Sequence, residues 1–247
     1  MNKLVMITKI EFKLFFRNFF SVFFAFAFPA GMLLLFGGMY GNEPVELFGG
    51  YGTVDVTVPS YFCMIIAVTG LMSLPLTVAQ YRERKILKRF MATPINPSDI
   101  LISQVIVNFI MTVLGMTVLI VAGKIVFNLH FLGRVLPTIF SFLLITLSMF
   151  SLGLLIAGVS PNGKTANAIS YLIYFPMLFL SGATMPIEIM PKSIANIAKV
   201  LPLTYGVELL KGIWLGGKLS DYLLEIIVLL CIFAVCTTIA VKSFKWE

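Results

Sequence analysis

Charged residues and the residue types that build catalytic centres are scarce in this chain. Only 12% of its 247 residues are charged, 11 are acidic and one is a histidine. About a quarter of the residues in a soluble domain are charged, so this composition excludes an ordinary soluble protein. The sequence contains no acid pair, Ser-His-Asp set or metal-ligand cluster, which argues against an intramembrane enzyme. A hydrophobic content of 59% and a mean hydropathy of +1.00 predict a membrane protein.

Cysteine and histidine carry no functional pattern. Cys63, Cys231 and Cys236 lie within apolar runs without metal or disulfide spacing, so we expect small buried hydrophobes and no bound metal. His130 lies in a short loop, where we expect it to be solvated rather than catalytic.

Acidic residues are nearly absent from the apolar runs; only Glu208 and Glu225 come close. Carriers driven by proton or sodium gradients usually have ionisable groups at mid-depth in the membrane. An external energy source is therefore expected, and an ion-coupled secondary carrier is the alternative from a different class.

Six apolar runs have the length of membrane-spanning helices, which need about 20 residues. The sequence thus predicts an all-α membrane protein, a single domain over residues 1–247. The predicted spans are 19–39, 60–79, 100–123, 135–158, 166–183 and 222–241.

The distribution of basic residues predicts the orientation. Loops and termini on one side carry 12 of the 18 Lys and Arg residues, and those on the other side carry 6. Both termini should therefore be cytoplasmic in a bacterial inner membrane. Residues 25–27 have the Ala-x-Ala form of a signal-peptidase site, but the apolar run continues to about residue 39, so we expect an uncleaved first span. The basic residues should anchor lipid headgroups, and nucleic-acid binding is not expected.

Two segments outside the spans have helical patterns. Residues 1–18 place their basic residues opposite an apolar face, which predicts an interfacial helix, although a merely basic flank is the alternative. Residues 186–215, between spans five and six, are broken by prolines and too short to cross as half-helices. They predict a re-entrant helical hairpin in the outer leaflet.

The stretch YRERKILKRFMATP, residues 81–94, concentrates charge between two apolar runs. Glu83, Ile86, Leu87 and Phe90 have i, i+3, i+4, i+7 spacing, which predicts a helix over 81–92 with one apolar face and one basic face. A positive-inside anchor needs only the charges. A helix that docks in a partner's groove needs both faces, so the pattern favours docking.

Two motifs resemble one family. ERKILKRFMATP, residues 83–94, resembles the coupling-helix segment of ABC-2 type exporter permeases, written E-x-x-x-L-x-x-L-x-x-[ST]-P. LSGATMPIEIMP at 180–191 and LPLTY at 201–205 are similar to the stretch after the fifth span in that family. The chain departs from the pattern at Lys85, Ile86 and Phe90, and has Lys211 where the second motif usually ends in Arg.

The resemblance implies a half-transporter. Two permease subunits, a homodimer or a pair of sister chains, would dock two copies of a cytosolic ATPase, which would hold ATP and Mg while this chain binds no cofactor. Glu83 would contact a basic or amide group of the ATPase, and Leu87 and Phe90 would be apolar anchors. The expected ATPase-coupling residues are Arg82, Glu83, Arg84, Ile86, Leu87, Phe90, Met91 and Pro94.

The loop GVSPNGKT, residues 158–165, satisfies the P-loop pattern GxxxxGK[ST]. A P-loop needs a preceding strand and a surrounding sheet, whereas an apolar run of helical length precedes this loop. We therefore expect a tight cytoplasmic turn with Lys164 as an anchor, and not a nucleotide site.

Polar and soft side chains follow one side of two spans. They predict either ordinary helix packing or a mildly polar substrate pathway suited to hydrophobic or amphipathic cargo. These residues are Thr69, Ser73, Thr77, Tyr171, Tyr174, Met177 and Ser181. Glu188 and Glu208 would gate the outer mouth or pair with Lys192 and Lys211; the sequence does not choose between these roles.

The most favoured function is ATP-driven export of a drug, antibiotic or peptide. Export of a lipid-linked glycan by the same kind of machinery is the alternative within the class.

Overall fold

The computed structural model describes residues 3–86, 97–185, 187 and 190–243, and these are mostly helical. The one sheet in the described residues is a two-stranded hairpin of β1 (Pro44–Val45) and β2 (Tyr51–Gly52), with a 3-10 turn at Glu46–Phe48 between the strands. The helices are α1 (Lys3–Arg17), α2 (Phe19–Tyr40), α3 (Thr53–Glu83), α4 (Pro97–Phe127), α5 (Val135–Val159), α6 (Gly163–Leu180), α7 (Lys192–Ala198), α8 (Pro202–Trp214) and, after a 3-10 turn at Leu219–Tyr222, α9 (Leu223–Ser243).

Five helices of the described residues are long and apolar enough to cross a membrane. They are α2, α3, α5, residues Asp99–Phe127 of α4, and Leu219–Ser243, which includes α9. Each overlaps a predicted span. The predicted fifth span, 166–183, corresponds to the 18-residue helix α6, which is not among the five candidates. Its first five residues include Lys164 and Asn167, which lower its hydropathy.

Helix α3 is the core of the bundle. Of its most apolar 18-residue window, 89% is buried, against 22% for α2 and 17% for Leu219–Ser243. Helices α2, α4, α5 and α8 pack around it, so both faces of α3 meet protein. The helix is longer than the predicted 60–79 at both ends, because its first turns pack under the β-hairpin and its last turns pack against α5 and α6.

Helices α3 and α5 cross at two glycines. Gly70 lies in a π-helical segment of α3, Val68–Ser73, and a Cβ added at Gly153 of α5 would collide with the Gly70 carbonyl oxygen. A Cβ at Gly70 would lie 2.9 Å from Phe150 Cδ1. Small residues at such crossings let two backbones approach closely.

Hydrogen bonds between separate elements define the two ends of the bundle. At the α1 end, α1, the last turn of α3 and the turn between α5 and α6 come together. At the hairpin end, the β-hairpin, the first turn of α3 and residues 128–130 come together.

The predicted helix over 81–92 is wrong at its start. Tyr81, Arg82 and Glu83 are the last residues of α3, and the chain turns at Arg84 and Lys85, where Lys85 has a φ of 56°. Ile86 is helical again, and residues 87–96 lie outside the described part of the chain.

The segment predicted as a re-entrant hairpin contains two short helices, α7 of 7 residues and α8 of 13. Eight of the α8 residues are buried, and α8 packs on α3, α5 and the last helix α9. A helix of 13 residues is about 20 Å long, less than the roughly 30 Å of a bilayer core.

Gly153→Ala should destabilise the bundle, because its methyl group meets the Gly70 carbonyl at the crossing of α3 and α5. Overpacking of this kind costs about 1–3 kcal/mol. The midpoint of thermal unfolding of the purified chain in detergent should fall. The control is Gly38→Ala in α2, where an added Cβ meets nothing within 4 Å. Equal midpoints for Gly153→Ala and Gly38→Ala would contradict the close crossing.

Candidate functional site

Three successive residues at the end of α3 bond to three other elements. We call Tyr81, Arg82 and Glu83, together with their bonded partners, the Tyr81 junction. Successive helical positions are about 100° apart, so three residues in a row point to three sides of the helix. This geometry lets the last turn of α3 hold α1, the end of α5 and the start of α6.

The first contact joins α3 to α1. The Tyr81 hydroxyl lies 2.8 Å from both carboxylate oxygens of Glu11, to which it donates. Glu11 is 7% exposed and shares the buried face of α1 with Ile7 and Phe15, while Lys9 and Lys13 are exposed. A buried carboxylate on an amphipathic helix needs such a partner, since an unpaired one is costly.

Burial raises the pKa of the Glu11 carboxyl above its ordinary value of 4.5, and the hydrogen bond from Tyr81 opposes the rise. The side-chain amide of Gln104, on α4, also opposes the rise in the pKa of Glu11, but more weakly than Tyr81 does. The Gln104 amide nitrogen makes no hydrogen bond of ordinary geometry within the described residues. Tyr81 is therefore the main partner of the Glu11 carboxylate.

The second and third contacts reach the two helix ends that flank the α5–α6 turn. Arg82 Nη1 lies 3.4 Å from the carbonyl oxygen of Gly158, in the last turn of α5. The backbone N–H of Gly163, the first residue of α6, donates to Glu83 Oε2 at 2.8 Å. A cation at a helix C-terminus and an anion at a helix N-terminus are both favourable with respect to the helix dipole.

The turn itself is capped locally. Asn162 is the N-cap of α6, and its side-chain oxygen accepts from the Thr165 N–H at 2.9 Å. Glu83 thus satisfies a second N–H of the same first turn, which has no partner within the helix. In the P-loop-like segment GVSPNGKT, a carboxylate of this chain occupies the position at the helix N-terminus where a P-loop would hold phosphate.

Beyond the junction the chain is basic and exposed. Arg84 and Lys85 are exposed, as Glu83 of the junction already is, and Ile86 is half-buried. The other predicted coupling residues, Leu87, Phe90, Met91 and Pro94, lie outside the described part of the chain, and their role stays a prediction.

Two adjoining cavities lie at the α1 end, with volumes of about 470 and 360 Å³. Asn18, Ser21, Gln80 and Arg84 line both of them. The larger cavity, which we call the amphipathic cavity, changes character along its depth. Its apolar wall is formed by Phe20, Val68, Met72 and Leu76, and its polar end by Gln80, Glu83, Arg84, Lys164 and Asn167.

The predicted pathway residues are divided between these cavities and the packed interior. Tyr171 lines the amphipathic cavity, and Ser73 and Thr77 line the smaller one. Thr69 is fully buried and hydrogen-bonded to Thr112 of α4 at 2.8 Å, which is a helix-packing contact. The remaining three, Tyr174, Met177 and Ser181, are buried within the chain. A role of any of them in transport stays a prediction.

Of the two predicted gate residues, Glu208 lies on α8 and lines shallow pockets together with Lys211. Glu188 lies outside the described residues. Their role as an outer gate stays a prediction.

A polar cluster at the hairpin end was missed by sequence reasoning. Asp55 is 7% exposed and accepts from the His130 N–H at 2.8 Å and from Asn42 Nδ2 at 2.9 Å. The His130 ring, half exposed, lies 3.3 Å from the other Asp55 oxygen, so it is paired as well as solvated. The Asn42 side chain also accepts from two N–H groups of the first turn of α3. Asp55 in the first turn of α3 and His130 in a loop meet here although they are 75 positions apart, and no local sequence signal identifies such a pair.

Comparison with known proteins decides the family. Residues 2–215 match the ABC-2 type transporter family. The chain belongs to this family. It is a multi-pass membrane permease by its helices and its family.

Two of the relatives are transport permeases by name. The permease is 25% identical over 164 residues to the probable multidrug ABC transporter permease YbhR of Escherichia coli (strain K12), covering 66% of this chain and 45% of that protein. It is 26% identical over 189 residues to the putative transport permease ycf38 of Porphyra purpurea, covering 75% of this chain and 65% of that protein. A match to nodulation protein J of Rhizobium leguminosarum bv. viciae, 35% identical over 89 residues, covers 36% of this chain and 34% of that protein. The matched region thus spans about half of the Escherichia coli relative.

The stability of the permease should fall as the pH rises from 4.5 through the raised pKa of Glu11. In that interval the folded state binds more protons than the unfolded state, so deprotonation favours unfolding. Glu11→Gln should remove this part of the pH dependence. Tyr81→Phe should extend the interval to higher pH, because the hydrogen bond that favours the ionised carboxyl is lost.

The measurement is the thermal unfolding midpoint in detergent at several pH values from 4.5 to neutral. Glu43→Gln is the control, because Glu43 is exposed. A pH profile that is the same for Glu11→Gln and the parent would show that Glu11 does not titrate against folding.

Proposed function

We propose that this chain is the membrane subunit of an ATP-driven exporter, with ATP and Mg bound by a separate cytosolic ATPase. The observation that carries the proposal is the Tyr81 junction, which ties the exposed basic turn at Arg84 and Lys85 to three elements of the bundle. A partner that moves this turn is thereby mechanically connected to the helices. The family match and the relatives named as transport permeases support the same function.

The proposed topology has six spans, with α6 as the fifth. Helix α6 packs against α3 along the bundle, and hydrophobic partners inside the protein offset its polar first turn. The α1 end is then cytoplasmic, as its excess of Lys and Arg predicts. Helix α1 lies along the inner leaflet, and α7 and α8 form a re-entrant hairpin at the outer side of a bacterial inner membrane.

The proposed ATPase contact begins at the exposed turn. Arg84 and Lys85 supply charge, and Leu87, Phe90 and Met91 supply the apolar face that docks in the ATPase, as far as Pro94. Two ATPase copies and two permease subunits, either identical or sister chains, complete the transporter.

The cargo class follows from the amphipathic cavity. Its apolar wall and polar end suit a compound with a hydrophobic body and a polar head, such as a drug, antibiotic or peptide. A lipid-linked glycan has the same division, with its lipid along the apolar wall. The polar end contains both signs of charge, from Glu83, Arg84 and Lys164, so the head need not carry a single fixed charge.

Purification of the tagged chain from its native membranes in a mild detergent should recover an ABC ATPase, identified by mass spectrometry. The double variant Leu87→Ala and Phe90→Ala should lose most of the ATPase, since a few apolar anchors carry most of the binding free energy at interfaces. A loss of about tenfold or more in recovery corresponds to about 1.4 kcal/mol.

Phe19→Ala is the matched control, because Phe19 is 72% exposed at the first residue of α2. It should recover the ATPase as the parent does. Recovery of a stable chain with no ATPase from the parent membranes would contradict the proposed function and favour an ion-coupled carrier, which a dependence of transport on a proton or sodium gradient would then identify.

A further inference from the structure

We infer that Glu83, with Arg82, is an internal clamp that passes movement of the basic turn to α6, and that Glu83 is not a contact to the ATPase. This inference rests on the proposed function. It assigns a positioning role to Glu83, Arg82 and Gly163 and to the turn between α5 and α6.

The hydrogen bonding of the two side chains supports the clamp. Glu83 accepts from the Gly163 N–H at 2.8 Å, and Arg82 reaches the Gly158 carbonyl oxygen at 3.4 Å. The two adjacent charges thus bond to the start of one helix and the end of the preceding helix, at the ends that favour their signs. The shorter bond to Gly163 holds the start of α6 against α3, and the longer bond to Gly158 holds the end of α5.

The clamp lies directly before the exposed turn at Arg84 and Lys85. Helix α3 ends at Glu83, and the backbone reverses at Lys85. Gly163 is buried, and an added Cβ would lie 2.9 Å from Gln80 Cγ and 3.1 Å from Glu83 Oε2. The first turn of α6 is therefore seated directly on the last turn of α3.

The same helix forms a wall of the amphipathic cavity. Lys164, Asn167 and Tyr171 line it from α6, and Glu83 and Gly163 line its polar end. A displacement of the α3 terminus that carries α6 with it changes the width of this cavity. Through the clamp, ATP-driven movement of the loop becomes a change at the cargo site.

Gly163→Pro separates the clamp from ATPase binding. Proline is well tolerated at the first position of a helix, and its preceding residue, Asn162, is already extended with φ −153° and ψ 170°. The substitution removes the N–H that Glu83 accepts from. Gly163→Ala is the matched control, because it adds a Cβ at the same place and keeps the N–H.

Two measurements are made on the complex with its ATPase in native membranes. The first is the amount of ATPase recovered with each variant. The second is the rate at which maleimide labels Asn167→Cys, compared before and after ATP and vanadate are added. All variants carry Cys231→Ser, because Cys231 is exposed. Both Glu83→Ala and Gly163→Pro should keep the ATPase and lose at least about two thirds of the labelling change. Gly163→Ala should keep both.

The double variant Glu83→Ala and Gly163→Pro should lose no more of the labelling change than either single variant, because both substitutions remove the same hydrogen bond. Loss of the ATPase from Glu83→Ala but not from Gly163→Pro would overturn the inference and place Glu83 in the ATPase interface. A full labelling change in Gly163→Pro would also overturn it while leaving the proposed function intact. Absence of the ATPase from the parent would instead overturn the proposed function.

A further measurement tests the contact without an ATPase. Amide hydrogen exchange of residues 163–165 in the purified chain should be about three- to tenfold faster in Glu83→Ala than in the parent, the range expected for loss of one helix-capping hydrogen bond. Lys85→Ala, which alters an exposed neighbour, should leave the exchange unchanged. Equal exchange in Glu83→Ala and the parent would show that the clamp is absent.

Discussion

The burial of α3 on all sides is the constraint on which the rest of the structure depends. Helices α2, α4, α5, α6 and α8 pack around α3, and 89% of its most apolar window is buried, so protein contacts determine its position. Small residues at the α3–α5 crossing permit this packing, and Thr69 of α3 hydrogen-bonds to Thr112 of α4 within the bundle. Whatever is attached to the ends of α3 is consequently attached to the core.

The two ends of α3 are held by polar contacts of the same kind. At the hairpin end, Asn42 accepts from N–H groups of the first turn of α3, and Asp55 joins that turn to His130. At the α1 end, the last turn supplies the side chains that hold α1 and α6. Helix ends leave backbone groups without partners, so side chains from adjacent segments are drawn to them. In this permease those contacts coincide with the places where chain segments from distant parts of the sequence meet.

The positions of the long helices could be predicted from the sequence because apolar length and period are local properties. Spans one, three and four agree with α2, α4 and α5 to within a few residues. The end of α3 could not be predicted, because the charged run begins before Glu83 and continues past it, and only the turn at Arg84 and Lys85 marks the boundary. Ser73, Thr77 and Tyr171 were identified by helical spacing and do line cavities, whereas Thr69 has the same spacing and is packed against Thr112. Spacing identifies a face of a helix but does not identify what covers it.

The charges at residues 82–85 likewise show that a sequence pattern does not identify what each side chain contacts. Their sign and density predict a cytoplasmic loop, but Arg82 and Glu83 differ from Arg84 and Lys85 only in where the helix ends. The first pair lies on the last turn of α3 and bonds to the ends of two neighbouring helices, although Glu83 is also exposed, whereas the second pair lies in the turn that follows. One short run of charge thus serves two purposes, an internal connection and an exposed surface. A rigid connection directly behind a docking surface is what mechanical coupling requires, because a flexible one would absorb the displacement before it reached the bundle.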